Sequence, residues 1–364
     1  MKVIAFYLPQ FHEIEENNNW WGKGFTEWTN VKNAKPLFNS HNQPRIPANN
    51  NYYDLSDIRT LKWQQKLASE YNIEGFCFYH YWFKDGKKLL EKPAELLLEN
   101  TDIDLKFCFS WANEPWTRSW DGKYGEIIMP QDYGNKKEWV EHFNYLLPFF
   151  KDKRYITIDG KPVFVIYKSS SIPDMDEMME LWNKLAIESG IPEIYFINTL
   201  RSRETTNVSD GFSACVEFEP AYTSSNLSNL ELNKRRIHRL AKISLNKIFK
   251  MSKTINLPIS YDTITKLSVQ KKPLKYIKTI PGAFVEWDNT PRKGINGSFY
   301  KGFSSEKFKN YFNKKVIKGI EEYKSDFIFI NAWNEWAEGT YLEPDEKKGF
   351  SILEAVREVI LQNK

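Results

Sequence analysis

Phe327-Ile328-Phe329-Ile330-Asn331-Ala332-Trp333-Asn334-Glu335-Trp336-Ala337-Glu338-Gly339-Thr340 is the stretch on which the fold turns. Its four apolar residues stop at Asn331. A run this short and unbroken reads as a strand buried on both faces, as in a parallel sheet covered by helices. Two carboxylates, Glu335 and Glu338, follow within a turn of chain. In an α/β barrel the residues just past a strand lie at the C-terminal mouth, where that fold keeps its chemistry.

Similar runs recur upstream, about eight in all: Val3–Tyr7, Gly75–Tyr79, Leu105–Ser110, Pro162–Tyr167, Ile194–Asn198, Ser213–Glu217, Ala283–Trp287 and Phe327–Asn331. Helical patterns separate several of them, over Leu55–Tyr71, Lys136–Phe150, Asp174–Ser189 and Glu306–Tyr323, with another over Ser351–Gln362. Strands alternating with helices imply a parallel sheet. The first strand is followed by Leu8-Pro9-Gln10-Phe11-His12, without the glycine-rich turn of an open nucleotide-binding sheet. The expected architecture is therefore a single α/β unit over 1–364: a (β/α)8 TIM barrel with extended βα loops.

The 364 residues are 41% hydrophobic and 27% charged, which suits a globule with a large core. A net charge of +4 gives no reason to expect nucleic acid as a partner. No run reaches the roughly 20 apolar residues of a membrane span, and the first apolar run is too short for a signal segment. The expectation is a cytoplasmic protein. Cys77, Cys108 and Cys215 fall inside predicted strands and read as buried thiols, with no zinc-like spacing. No metal or cofactor is implied.

One segment breaks the pattern. From Leu232 to Tyr261 the chain carries Lys234, Arg235, Arg236, Arg239, Lys242, Lys247, Lys250 and Lys253, and no Asp or Glu. Apolar residues interleave with them. This predicts a basic amphipathic helix within an insertion over 220–278, after the sixth strand. It reads as a solvated helix lying on the barrel, or as a peripheral contact with an anionic membrane or a lipid-linked glycan.

Aromatic residues make up 16% of the chain, and many stand beside Asn, Glu or His at strand ends. Flat apolar faces with polar neighbours suit pyranose rings. The second strand runs into His80, Tyr81 and Trp82. The third runs into Trp111-Ala112-Asn113-Glu114-Pro115-Trp116. The sixth ends at Glu217, and the seventh carries Glu286 and Trp287. Cleaving a glycoside needs a proton donor and a second carboxylate. Glu335 and Glu338, three residues apart, would share a face if their turn were helical, and one proton would then be held on the pair. Glu114 and Glu286 form a rival pair.

Asn334-Glu335-Trp336-Ala337-Glu338-Gly339-Thr340 resembles the Asn-Glu-Trp-His-Glu-Gly-Thr signature of glycoside hydrolase family 99, a family of endo-α-mannosidases and endo-α-mannanases. The chain is more closely similar to the WbsX-like proteins of bacterial polysaccharide and O-antigen loci. That likeness runs nearly end to end, through Ala5–His12, Trp21–Trp28, Trp111–Trp116 and Glu335–Asp345. The resemblance implies that Glu335 removes the proton of a sugar 2-hydroxyl, giving a 1,2-anhydro intermediate with net retention. It implies Glu338 as general acid/base. Ala337 replaces the family-99 histidine, so mannose specificity is not carried over. Trp21, Glu27, Trp28, His80, Tyr81, Trp111, Asn113, Glu114, Trp116, Glu217, Glu286, Trp287, Asn334 and Trp336 are the expected substrate-binding residues. The leading expectation is a retaining endo-acting glycoside hydrolase or transglycosidase on a bacterial oligo- or polysaccharide. The alternative is a glycosyltransferase of O-antigen or capsule assembly, the label often attached to WbsX-like proteins. Against it, no Asp-x-Asp follows a predicted strand.

Overall fold

A computed structural model describes residues 1–118, 126–202, 208–227, 237–238 and 256–364. Its main sheet is built from β1 (Lys2–Tyr7), β2 (Ile73–Trp82), β3 (Lys106–Trp111), β4 (Lys161–Ile166), β5 (Tyr195–Leu200), β6 (Ala214–Glu217), β7 (Lys278–Ile280), β8 (Gly282–Phe284) and β9 (Phe327–Asn331). They lie in the order β7-β6-β5-β4-β3-β2-β1-β9-β8. Every pairing along this path is parallel. Each apolar run of the sequence overlaps one of these strands.

The ring closes through β7 and β8, which are one strand position interrupted at Pro281. β7 pairs with β6, and β8 pairs with β9. Proline has no N–H to give to a ladder. Its carbonyl still accepts from Phe329 N at 3.1 Å, so the chain changes partner without leaving the wall. Gly282 lies against the end of β6, where a Cβ would stand 1.8 Å from the Glu217 carbonyl oxygen. The sequence placed this strand at Ala283–Trp287. The ladder instead ends at Phe284, and Glu286 and Trp287 belong to the loop beyond it.

The helices are α1 (Glu15–Trp21), α2 (Glu27–Asn33), α3 (Ile58–Glu70), α4 (Lys92–Glu99), α5 (Lys136–Phe150), α6 (Met175–Glu188), α7 (Tyr261–Gln270), α8 (Thr290–Lys293), α9 (Ser305–Glu321) and α10 (Ser351–Gln362). Local chemistry sets several starts. Asn135 and Glu138 form a capping box on α5, and Asp57 and Ser304 cap α3 and α9.

Alternation along the strands separates two cores. Phe6 meets Tyr79, Phe218 and Phe329 at centroid distances of 5.9, 5.1 and 5.5 Å, which places all four rings inside the barrel. Tyr7 faces the other way and donates to Gln64 of α3 at 2.8 Å. The three cysteines are buried free thiols. Most of the basic segment 232–261 lies outside the described residues, as does the helix expected there. Among the described residues no helix is long and apolar enough to cross a membrane.

Candidate active site

Past β9 the chain makes a short antiparallel ladder, with Asn334 and Glu335 against Tyr341 and Thr340. It is closed by a single 3-10 turn, Trp336–Glu338, rather than an α-helical one. Gly339 ends that turn at φ +66°, and a Cβ there would lie 3.0 Å from both Arg45 Nη2 and Asp288 Cβ. Both the backbone conformation and the space call for glycine. The Asn334 side chain accepts from Leu8 N at 2.8 Å and donates to Leu8 O at 2.9 Å, which ties the turn to the end of β1. Trp336 stacks on Tyr341 at 3.9 Å and donates to Glu343 Oε2 at 2.7 Å. Glu335 and Glu338 thus stand on a backbone fixed from several sides.

What organises the two acids is an arginine on α8. Arg292 donates from Nη2 to Glu335 at 2.9 Å, from Nη1 to Glu338 at 2.8 Å and from Nε to Glu27 at 2.8 Å. The guanidinium is planar, with five N–H donors in a fixed fork, so it can hold three carboxylates at once. The side chains of Glu27, Glu335 and Glu338 are 0%, 7% and 24% exposed. Burial pushes Glu335 up to about 8, and its acidic neighbours Glu338 and Glu27 add to the rise against the pull of Arg292. Burial also raises Glu27, opposed by Arg292. One guanidinium does not neutralise three carboxylates, and the uncompensated negative charge adds to burial in raising the proton affinity of Glu335.

These groups open onto a cleft of ≈ 250 Å³ whose walls include Trp21, Tyr81, Trp116, Gln10, Arg292 and Glu335. The Trp116 ring stands edge-on to Tyr81 at 5.1 Å. Gln10 Nε2 is buried and has no hydrogen-bond partner among the described residues. Asn331, on the same face of β9 as Phe329, has both amide atoms unpartnered. Tyr79 sits below, its phenol pushed up by burial and by Glu335. A cleft lined by aromatic rings, a spare amide and Glu335, with Glu338 held on the same arginine, has the composition of a sugar subsite. Among the described residues no group of three or more His, Cys, Asp or Glu could hold a metal ion.

The sequence matches the family described as Glycosyltransferase WbsX over residues 3–356. The chain belongs to the WbsX family. WxcX of Xanthomonas campestris pv. campestris is 33% identical over 364 residues, which is 98% of this chain and 49% of WxcX. The chain therefore spans about half the length of the curated relatives it matches. Among solved structures, a GH99 endo-α-mannosidase from Bacteroides thetaiotaomicron superposes with a TM-score of 0.55 at 16% identity, covering 99% of this chain and 96% of that one. A glycoside hydrolase-like protein superposes at 0.58 and 14% identity, covering 98% and 93%. At these identities the likeness is one of fold, and it gives this WbsX-family chain the barrel read from its strands.

Several residues expected to bind substrate do other work in this WbsX-family chain. The parity of β2 puts Tyr79 and Tyr81 toward the mouth and His80 toward α5, where His80 and His142 Nε2 atoms lie 2.8 Å apart. Burial lowers His80 to about 3, so it stays neutral there. Trp111 faces the same way, edge-on to His142 at 4.9 Å, and is 2% exposed. Trp28 is a core ring between Phe11 and Trp336. Glu217 points outward to Lys315 of α9 at 2.6 Å and Tyr323 at 2.7 Å. Asn113 clamps the Lys168 backbone by two 2.8 Å hydrogen bonds. Trp287 donates to Ser298 at 2.9 Å.

The rival acids are not brought together. Glu114 follows β3, the third strand, and pairs with Lys168 at 2.9 Å. Glu286 continues the outward face of Phe284 and pairs with Arg45 at 2.8 Å and Lys348 at 3.2 Å. The two share no partner. Arg292 and Gln10 were missed by sequence reasoning. The one signal near Arg292 was Thr290-Pro291, which marks a helix start but not what the helix presents.

Proposed function

We propose that this chain is a carbohydrate-active enzyme: a retaining, endo-acting glycoside hydrolase or transglycosidase of a bacterial polysaccharide, working through Glu335 and Glu338. The observation that carries the reading is the pair of acids clasped by Arg292 beside an aromatic cleft at the barrel mouth. In this reading Glu335 takes the proton of the sugar 2-hydroxyl, and O2 closes on the anomeric carbon. Glu338 gives its proton to the departing glycosidic oxygen. It then takes one from the incoming water or sugar hydroxyl, which opens the anhydro ring at the anomeric carbon, and Glu335 returns its proton to O2. Both steps invert that carbon, so the product retains configuration.

A base must be deprotonated to act. Glu338 must carry a proton at the same time, so the active form is the pair holding one proton between its two acids; that proton is lost through about 8, and turnover should fall as pH rises through that value. Glu335→Gln and Glu338→Gln should each lower kcat by at least about 10²-fold while leaving thermal stability close to wild type. The assay is release of shorter oligosaccharides from the polysaccharide of the source organism. Activity retained in both variants would overturn the assignment, and a rate that rises through about 8 would show that turnover does not need the proton of the pair.

The family description favours a second reading, in which the same pair passes the sugar to a glycan acceptor from an activated donor. Turnover that requires a nucleotide sugar, with no cleavage of finished polysaccharide, would select it. In either reading the proposed partner of the basic segment is an anionic membrane surface or lipid-linked glycan.

A further inference from the structure

A second and larger cavity, ≈ 580 Å³, lies behind the acid-bearing turn and shares no residue with the cleft. Asp288 and Arg45 join the two: both line the cavity, the Asp288 N–H donates to the Glu338 carbonyl at 2.7 Å, and Arg45 lies against Gly339. The cavity is formed by the chain that follows β8, from Glu286 to Ser305, by the chain that follows β9, at Lys347, Lys348 and Ser351, and by a third segment after α2, from Phe38 to Arg45. In α/β barrels the loops after the last two strands frequently hold a phosphate group.

The charges in this cavity are unevenly committed. Four cations line it, Arg45, Lys301, Lys347 and Lys348, against two carboxylates, Glu286 and Asp288. The carboxylates are already served from within. Glu286 is held by Arg45 and Lys348, and Asp288 accepts from Gln43 at 2.8 Å and Thr290 at 2.6 Å and lies 2.8 Å from the His41 ring. Lys301 and Lys347 are exposed and form no ion pair among the described residues. Arg45 is the buried anchor. Its side chain is 2% exposed, and its Nε finds no acceptor among the described residues. A buried guanidinium N–H without a partner is costly and marks a place for an anion. The 12-residue helix α10 begins at Ser351 on the same cavity with no side-chain cap; the Ser351 N–H is taken by the Lys348 carbonyl at 3.2 Å, and the next two amides have no carbonyl of their own helix to donate to, which leaves them for an oxyanion. Phe38 and Phe299, stacked 5.0 Å apart, supply an apolar flank beside these charges.

We propose that this cavity binds the phosphate group of a phosphorylated sugar. Arg45 and the first turn of α10 meet the phosphate oxygens, Lys301 and Lys347 close on it from the rim, and the aromatic flank faces the sugar ring. The phosphate arrives either on a free sugar monophosphate or within a phosphodiester of a glycan or lipid carrier. The recognition chemistry is the same for both.

The test needs no turnover, so it stands or falls apart from the proposed reaction. Calorimetric titration of the whole chain with inorganic phosphate, against sodium chloride of equal ionic strength, should show saturable binding. A hexose 6-phosphate should bind more tightly than inorganic phosphate, and the unphosphorylated hexose should give no signal. Comparing that monoester with its methyl phosphodiester then separates the two sources by which binds tighter. Lys301→Gln with Lys347→Gln removes only exposed side chains. That double variant should keep its Tm and bind phosphate at least about tenfold more weakly. Arg45→Gln should abolish binding where it folds. No saturation beyond the chloride control, or equal affinity in the double variant, would overturn the proposal.

Discussion

Arg292 sets the electrostatics of the whole site, because three carboxylates lean on its one plane of N–H donors. Lysine keeps the charge but not the fork. Arg292→Lys should therefore leave the fold intact and lower kcat by roughly 10²-fold through misplacement of the acids. The charge it supplies to Glu335 would be less well placed, so the Glu335 limb should move above its present value of about 8. A kcat–pH profile reads both effects, and an unmoved limb would show that Arg292 does not govern that proton. Little of this was visible in sequence. Glu335 and Glu338 could be found because a buried strand and two tryptophans frame them within one turn. Arg292 stands in a four-residue helix with nothing apolar around it to mark its direction. His80 and Tyr81 show the reverse case. Their parity along β2 was readable, and it forbids both from facing the cleft.

At the scale of elements, the weak joint is the broken strand. Gly282→Ala would drive a methyl into the Glu217 carbonyl at the place where β8 takes over from β7. Overpacking of this kind costs roughly 1–3 kcal/mol. The urea midpoint should fall by a corresponding amount with an unchanged slope, and a midpoint equal to wild type would mean that the barrel relaxes freely there. The five helices read in the sequence, α3, α5, α6, α9 and α10, were legible to within a few residues, since caps such as Asn135 with Glu138 and the apolar spacing on α5 are local properties, whereas the shorter α1, α2 and α4 gave no such signal. The exchange of partners at Pro281 was not. It depends on which strands flank the proline in space, and only the closed ring supplies that information.

The molecule as a whole carries several buried carboxyls with raised affinities for protons, Glu335 and Glu343 foremost. Burial lifts Glu335 to about 8 and Glu343 to about 7, from 4.5. Between 4.5 and those values the native protein binds more protons than the unfolded chain. The contribution of these groups to stability therefore falls as pH rises through that window and levels off above about 8. Asp288, depressed to about 2, works in the opposite sense: its contribution is present above 3.8 and is lost as pH falls toward 2. Urea unfolding at about pH 5 and about pH 9 should show the loss, and combining Glu335→Gln with Glu343→Gln should flatten it. An equal slope in wild type and double variant would remove these two groups as its cause.

Leu8 and Asn334 hold each other across 326 residues of chain, and Glu27 and Arg292 across 265. At ribosomal speeds of about 5–20 residues per second, roughly 15–65 s separate the synthesis of Leu8 from that of Asn334. Throughout that interval β1 waits without its β9 neighbour, and the acids have no clamp. The capacity for chemistry is therefore acquired late and all at once. A chain abandoned before Glu335 and Glu338 were made would lack the proposed acid pair, however much of the barrel it had built.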